Sequence, residues 1–171
     1  MHETARLGVA GLAILLAAGT TSACSSSGSA SAPTTSGSSV ALSATQYRAA
    51  LHNINVTETK AQHAIQQAFG SPNTRTIAKA MSRFAADQKR IAMTIGRLHP
   101  PADAIAANHD LATAFAQNAA ATRTLVPKIA ASRNAAAAQQ FLMNAKAPQR
   151  SGHQIDAALG ILKGLGYTTG S

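Results

Sequence analysis

Tryptophan is missing from this chain, cysteine occurs once, and only six side chains are acidic. A single thiol cannot close an intramolecular disulfide, so any folded part must be held by packing and hydrogen bonds. So few carboxylates make a paired-carboxylate hydrolase improbable and leave little material for general acid and base work. No glycine-rich phosphate loop is present, and no serine or cysteine nucleophile has an obvious histidine partner. The expectation is therefore a non-enzymatic protein with no cofactor. Long apolar runs are also lacking, because Leu7 to Gly19 falls well short of the roughly 20 residues that cross a bilayer. Strand-like alternation does not occur after Val40, and aromatic residues make up only 4% of the chain.

What is abundant is alanine and positive charge. Of the 171 residues, 46% are hydrophobic, and much of that share is alanine, the best helix former. The formal net charge is +9, and it survives removal of an N-terminal leader because Glu3 and Arg6 would leave together. Such a balance speaks to partners rather than to fold. Anionic lipid, wall polymer or nucleic acid would each answer it, and nucleic acid is the least expected because the cationic face has no aromatics to stack bases.

The N-terminal stretch sets the organisation. The apolar run LGVAGLAILLAAG has the length of a signal-peptide core and leads into Thr21-Ser22-Ala23-Cys24. Small residues before this lone cysteine resemble a bacterial lipobox, with Ala23 before the cut and Ser25 after it, while Thr21 stands where an aliphatic residue is usual. The resemblance implies cleavage before Cys24 and acylation of its thiol, by diacyl or triacyl groups with chains such as palmitate, and so a protein held on the extracytoplasmic face of the cell membrane. Two alternatives stay open: a secreted protein cut nearby, and an uncleaved N-terminal anchor. Taken with a helical remainder and the junction Leu98-His99-Pro100-Pro101, the chain resembles small helical lipoproteins of high-GC Gram-positive bacteria, a likeness too general to bring an activity with it.

The expected divisions are a signal peptide at 1–23, an acylated Cys24 with a disordered linker over 24–42, a helical body at 43–166 and a tail at 167–171. Ser25 to Ser39 has no large apolar side chain and cannot offset the entropy of ordering. A coil of about 15 such residues reaches only about 20 Å, which keeps the body close to its anchor.

Within the body, Tyr47, Leu51, Ile54, Glu58, Ala61, Ile65 and Ala68 recur at alternating four- and three-residue steps, the face of a helix in coiled-coil register. Ser43 is placed to cap it and Gly70 to end it in the left-handed conformation. Ser71 and Pro72 are expected to open a second helix with the same spacing at Ile77, Met81, Phe84, Gln88, Ile91, Ile95 and Leu98. A third, from Pro101, presents Asn108, Leu111, Phe115, Thr122, Leu125 or Val126, and Ile129, with Pro127 kinking or ending it. A fourth segment from Ser132 to Asn134 onward is expected to break at Pro148 and Gly152, with Ser151-x-x-Gln154 as a fresh capping box and Gly164 and Gly166 fraying the end. Short connections between long helices predict an all-α, up-down-up-down four-helix bundle, with a looser helical domain that becomes ordered only as an oligomer as the alternative.

Antiparallel pairing of the first two helices sets Glu58 against Gln88 at mid-body, and two more hairpins bring the Pro148 to His153 break to that level. Glu58, Gln88 and His153 are thus a candidate ligand layer, with a register-fixing polar layer as the plainer reading. A metal site is not expected: the paired carboxylates and Glu-x-x-His motifs of ferritin-like bundles are absent. His52, His63, His99 and His109 form no close pair, which leaves only surface copper or zinc binding open. Arg83, Arg90 and Arg97, at heptad spacing, line one side of the second helix as a candidate contact for anionic lipid or wall polymer.

Overall fold

The computed structural model describes residues 40–167. The expected signal peptide, Cys24 and the linker through residue 39 lie outside the described residues. Those described are all-helical: α1 (Ala44–Phe69), α2 (Thr74–Gly96), α3 (Ile105–Ala130), α4 (Ala135–Met143) and α5 (Lys146–Gly164), with a short 3-10 turn, Ala102–Ala104, leading straight into α3.

The first helix forms as its sequence dictates. Ser43 closes a capping box, its hydroxyl accepting from the Gln46 N–H at 3.3 Å while its own N–H donates to Gln46 Oε1 at 2.9 Å. The seam Tyr47, Leu51, Ile54, Glu58, Ala61, Ile65 is buried along the whole length. Gly70 ends the helix with φ −73°, right-handed rather than left-handed, so its missing Cβ is not required there. Ser71 is not the cap of α2. Its hydroxyl accepts from Asn73 N–H, and Asn73 in turn caps the helix through a 2.9 Å bond from Arg75 N–H, so Pro72 stays in the connection.

α3 runs three residues past Pro127 to Ala130, with the Pro127 carbonyl accepting from Ala131 N–H at 3.0 Å. Proline removes one donor, and the Arg123 carbonyl it would have served belongs to an exposed residue that water can reach. The fourth segment breaks earlier than its sequence suggests, at Asn144–Ala145. Pro148 sits in the first turn of α5, where no intrahelical donor is needed. Ser151 and Gly152 therefore lie inside that helix, and Ser151-x-x-Gln154 is no capping box.

At the far end of α5 the chain does not fray. Gly166 takes φ +79°, Gly166 N–H bonds Lys163 O at 2.9 Å, and Tyr167 N–H bonds Leu162 O at 2.9 Å, a Schellman closure with Leu162 and Tyr167 both in the core. Tyr167, assigned above to the tail, thus belongs to the body, as does half-buried Leu42, whose N–H bonds His99 O at 2.7 Å.

Each packed pair of long helices runs antiparallel. The start of α1 meets the end of α2 through Leu42 and His99, and Thr74 at the start of α2 reaches Ala130 at the end of α3 at 3.5 Å. Tyr167, just past α5, donates to Asp103 before α3 at 2.8 Å. The most extensive packing is between α2 and α3. Alanines recur there at seven-residue steps, Ala78, Ala85 and Ala92 on α2 with Ala107 and Ala114 on α3, all buried; interaxial distance follows side-chain size, and methyl groups permit a short one.

The apolar core is split in two. One cluster gathers Tyr47, Leu51, Ile91, Ile95, Leu111, Phe115 and Leu162 at the end where α1 begins. The other gathers Ile65, Ile77, Met81, Leu125, Ile129 and Ala138 at the opposite end. Ala85 is 1% exposed between them. Ala85→Leu is expected to overpack the α2–α3 contact and lower stability by about 1–3 kcal/mol, read as a reduced urea midpoint with unchanged slope.

Candidate functional site

The level that separates the two clusters is polar. Glu58 on α1 and Gln88 on α2, each alone on an apolar seam, meet there: Gln88 Nε2 donates to Glu58 Oε2. Gln62, one turn along α1, donates to Glu58 Oε1 at 2.8 Å. Gln88 Oε1 accepts from Asn118 Nδ2 of α3 at 3.1 Å. The hydroxyl of Ser151 on α5 lies 3.1 Å from Asn118 Oδ1 and also within reach of the Ala147 and Pro148 carbonyls. One chain of hydrogen bonds thus crosses four helices, and its amides all point their donors toward the Glu58 carboxylate.

His153 is not part of this level. It is exposed on α5, and Ser151, two residues earlier, faces Asn118 instead. The early start of α5 fixes this phase. Two residues turn a helix by about 200°, enough to exchange an inward side chain for an outward one. Spacing does not mark Asn118 or Gln62, and it marks Ser151 only as a helix cap. Asn118 falls between Phe115 and Thr122 on the expected α3 face, where an apolar-period reading passes over a half-buried amide.

Burial governs the electrostatics. Glu58 is 9% exposed, and desolvation holds its carboxyl above the usual range, opposed by the donors Gln62 and Gln88 and assisted by the nearby charge of Asp87. No buried side-chain nitrogen or oxygen among the described residues is without a partner. The layer's polar atoms are therefore already spent on one another, which suits a structural role. Among the described residues no group of three or more His, Cys, Asp or Glu side chains could hold a metal ion.

A second polar knot lies near the end where α1 starts. Tyr47 is fully buried, donates to Asn108 Oδ1 at 3.0 Å, and meets the Tyr167 ring edge-on with centroids 5.2 Å apart. Asn108 Nδ2 donates in turn to the Ile95 carbonyl at 3.1 Å, at the end of α2. Burial first, and then Tyr167, push the Tyr47 phenol up to about 12, so it is a neutral donor at any physiological pH.

The arginine line on α2 is present but uneven. Arg83, Arg90 and Arg97 are all exposed, and Arg90 is ion-paired to Asp87. The line runs from the level of one core cluster to that of the other. Two grooves lie elsewhere along the body. One of about 480 Å³ runs between α3, α4 and the start of α5, bordered by Lys128, Lys146 and Phe141. The other, about 380 Å³, lies between α1 and α2 over Ala61, Ala64 and Ala68, with Lys79 and Arg83 on its edge.

Glu58 also gives the molecule a pH dependence. Its folded carboxyl titrates above its ordinary value of 4.5, so the native state binds the proton more tightly than the unfolded chain does. Its ionisation costs stability as pH rises through the folded pKa, and that cost is absent below the unfolded value. Thermal melts compared with Glu58→Gln are expected to show the native chain gaining on the variant as pH falls from 7 toward 4.5; a pH-independent difference would contradict the burial argument. No family model, curated protein or solved structure matches this chain.

Proposed function

We propose that this protein is a membrane-anchored, extracytoplasmic lipoprotein, tied down through acylated Cys24, whose helical body serves the cell envelope as a non-enzymatic binding or structural module. The observation that carries the reading is the order of the first 39 residues: an apolar run, small residues, a lone cysteine, and a Ser/Gly/Ala stretch. A single acyl chain anchors a protein only marginally, whereas two or three hold it firmly, which is the use a lone exported thiol would have. Among the described residues no helix is long and apolar enough to cross a membrane.

The same reading takes α4 and α5 together as one interrupted leg, making the body an up-down-up-down bundle of four legs. The bonds from Ser151 to Asn118 and from Tyr167 to Asp103, at the two ends of α5, support it. Its partner is anionic, in keeping with the +9 charge. A metal- or ligand-sensing role is the weaker reading, because exposed His153 leaves the mid-layer without an imidazole.

Mass spectrometry of the mature N-terminus from membranes tests the proposal. The expected result is a chain beginning at Cys24 with acyl groups on it, and a Cys24→Ser variant that leaves the detergent phase. A chain retaining Met1 and a bare thiol would refute it.

A further inference from the structure

Charge is divided along the length of the body more sharply than around any one helix. Residues 59–86 and 111–155 contain no aspartate or glutamate. In the fold these two windows come together: the second half of α1 and the first half of α2 lie beside the second half of α3, α4 and the start of α5. Their shared core is the cluster of Ile65, Ile77, Met81, Leu125 and Ile129, and Gln139 Nε2 of α4 donates to the Phe69 carbonyl at 2.9 Å across it. Around this end stand Lys60, Arg75, Lys79 and Arg83 from the first hairpin. Arg123, Lys128 and Arg133 of α3 and its exit, with Lys146 and Arg150 of α5, complete the set. All nine are exposed.

The other end differs in kind. It carries Arg48, Lys89, Arg90, Arg97 and Lys163 against Asp87, Asp103, Asp110 and Asp156, close to neutrality. Most of the exposed large apolar side chains are there too, including Val40, Ile105, Ile161 and Leu165, whereas the basic end has Met143. The chain enters the body at this near-neutral end. The basic end therefore lies a helix length away, about 39 Å for 26 residues.

We propose that the basic end is a binding surface for a linear polyanion. Three features favour that partner. The two grooves, of about 480 and 380 Å³, both open at this end and each carries two cations on its border, Lys128 with Lys146 and Lys79 with Arg83, the second reaching Asp87 where it meets the waist. A flexible anionic chain can follow grooves of this shape around a convex helical end, where a planar bilayer would touch only its tip. The exposed apolar side chains that would dip into a bilayer are concentrated at the opposite end. Phe69, Phe84 and Phe141 are half-buried rather than displayed, so this end offers no open aromatic faces for stacking bases. Among the described residues Arg90 is the one arginine or lysine held in an ion pair, and it is not at this end; its nine cations are not committed to carboxylates.

The inference rests on the anionic-partner part of the function proposed above and not on acylation of Cys24, so the two fail separately. The test uses the full-length chain and long-chain polyphosphate as probe, with affinity measured by fluorescence anisotropy at several salt concentrations. Each cation near a polyanionic surface is worth about a fivefold change. The triple variant Arg123→Glu, Lys128→Glu, Lys146→Glu is expected to weaken binding by roughly a hundredfold or more, with a shallower salt dependence. Reversal of Arg48, Arg97 and Lys163 at the other end is expected to change it by less than about tenfold. Circular dichroism of both variants checks that the helices are intact. Equal losses at the two ends, tighter binding to phosphatidylglycerol vesicles than to polyphosphate, or tighter binding to single-stranded DNA would each overturn the proposal.

Discussion

A buried carboxylate supported by amides is the constraint around which this body is arranged. Glu58 sits where four helices pass one another, and removing a charge from water is tolerable only when its oxygens are met by donors. Gln62 and Gln88 meet them, Asn118 holds Gln88, and Ser151 lies against Asn118. Gln88 and Asn118 each have one orientation that satisfies both neighbours, so the chain has a direction as well as a composition. Sliding any helix by a turn would strand a donor or leave the carboxylate unpartnered. Apolar packing above and below is far less particular, because alanine and leucine contacts accept many registers.

The constraint also explains why the core is divided. The apolar clusters on either side of the layer have different characters: one is closed by the Tyr47–Asn108 bond, the tyrosine pair and the Schellman turn at Gly166, the other by α4, which packs on α3 and α2 and bonds the Phe69 carbonyl at the end of α1. The first gathers the described chain ends and the aspartates. The second is bordered mainly by cations, with Asp87 reaching its groove only at the waist. The body thus has a polar waist and two ends of unlike charge and packing.

Much of this was legible in the sequence, and the rest failed for identifiable reasons. The buried seams of α1 and α2, and the meeting of Glu58 with Gln88, followed from heptad spacing because both helices are long, uninterrupted and joined by a short connection. Beyond Pro127 the spacing lost its hold. Pro148 reads as a breaker but stands in the first turn of α5, where proline is harmless, and the shifted start exchanged His153 for Ser151. Gly164 and Gly166 read as loosening the chain, although a glycine just past a helix is what a tight closure needs. The charge asymmetry is not visible around the circumference of α2 alone. It emerges only when acid-free windows distant in sequence are folded side by side.

The claim that the polar waist selects one register is tested most directly by replacing it with hydrocarbon. In the triple variant Glu58→Leu, Gln88→Leu, Asn118→Leu, no buried charge remains and helix content should persist. Two-dimensional amide NMR of that variant is expected to show multiple or broadened peaks for the residues of α1 and α5, the mark of competing registers, even if the melting temperature is kept or raised. A single sharp set of resonances with the native contacts between Leu51 and Ile95 and between Ile65 and Ile77 would contradict it.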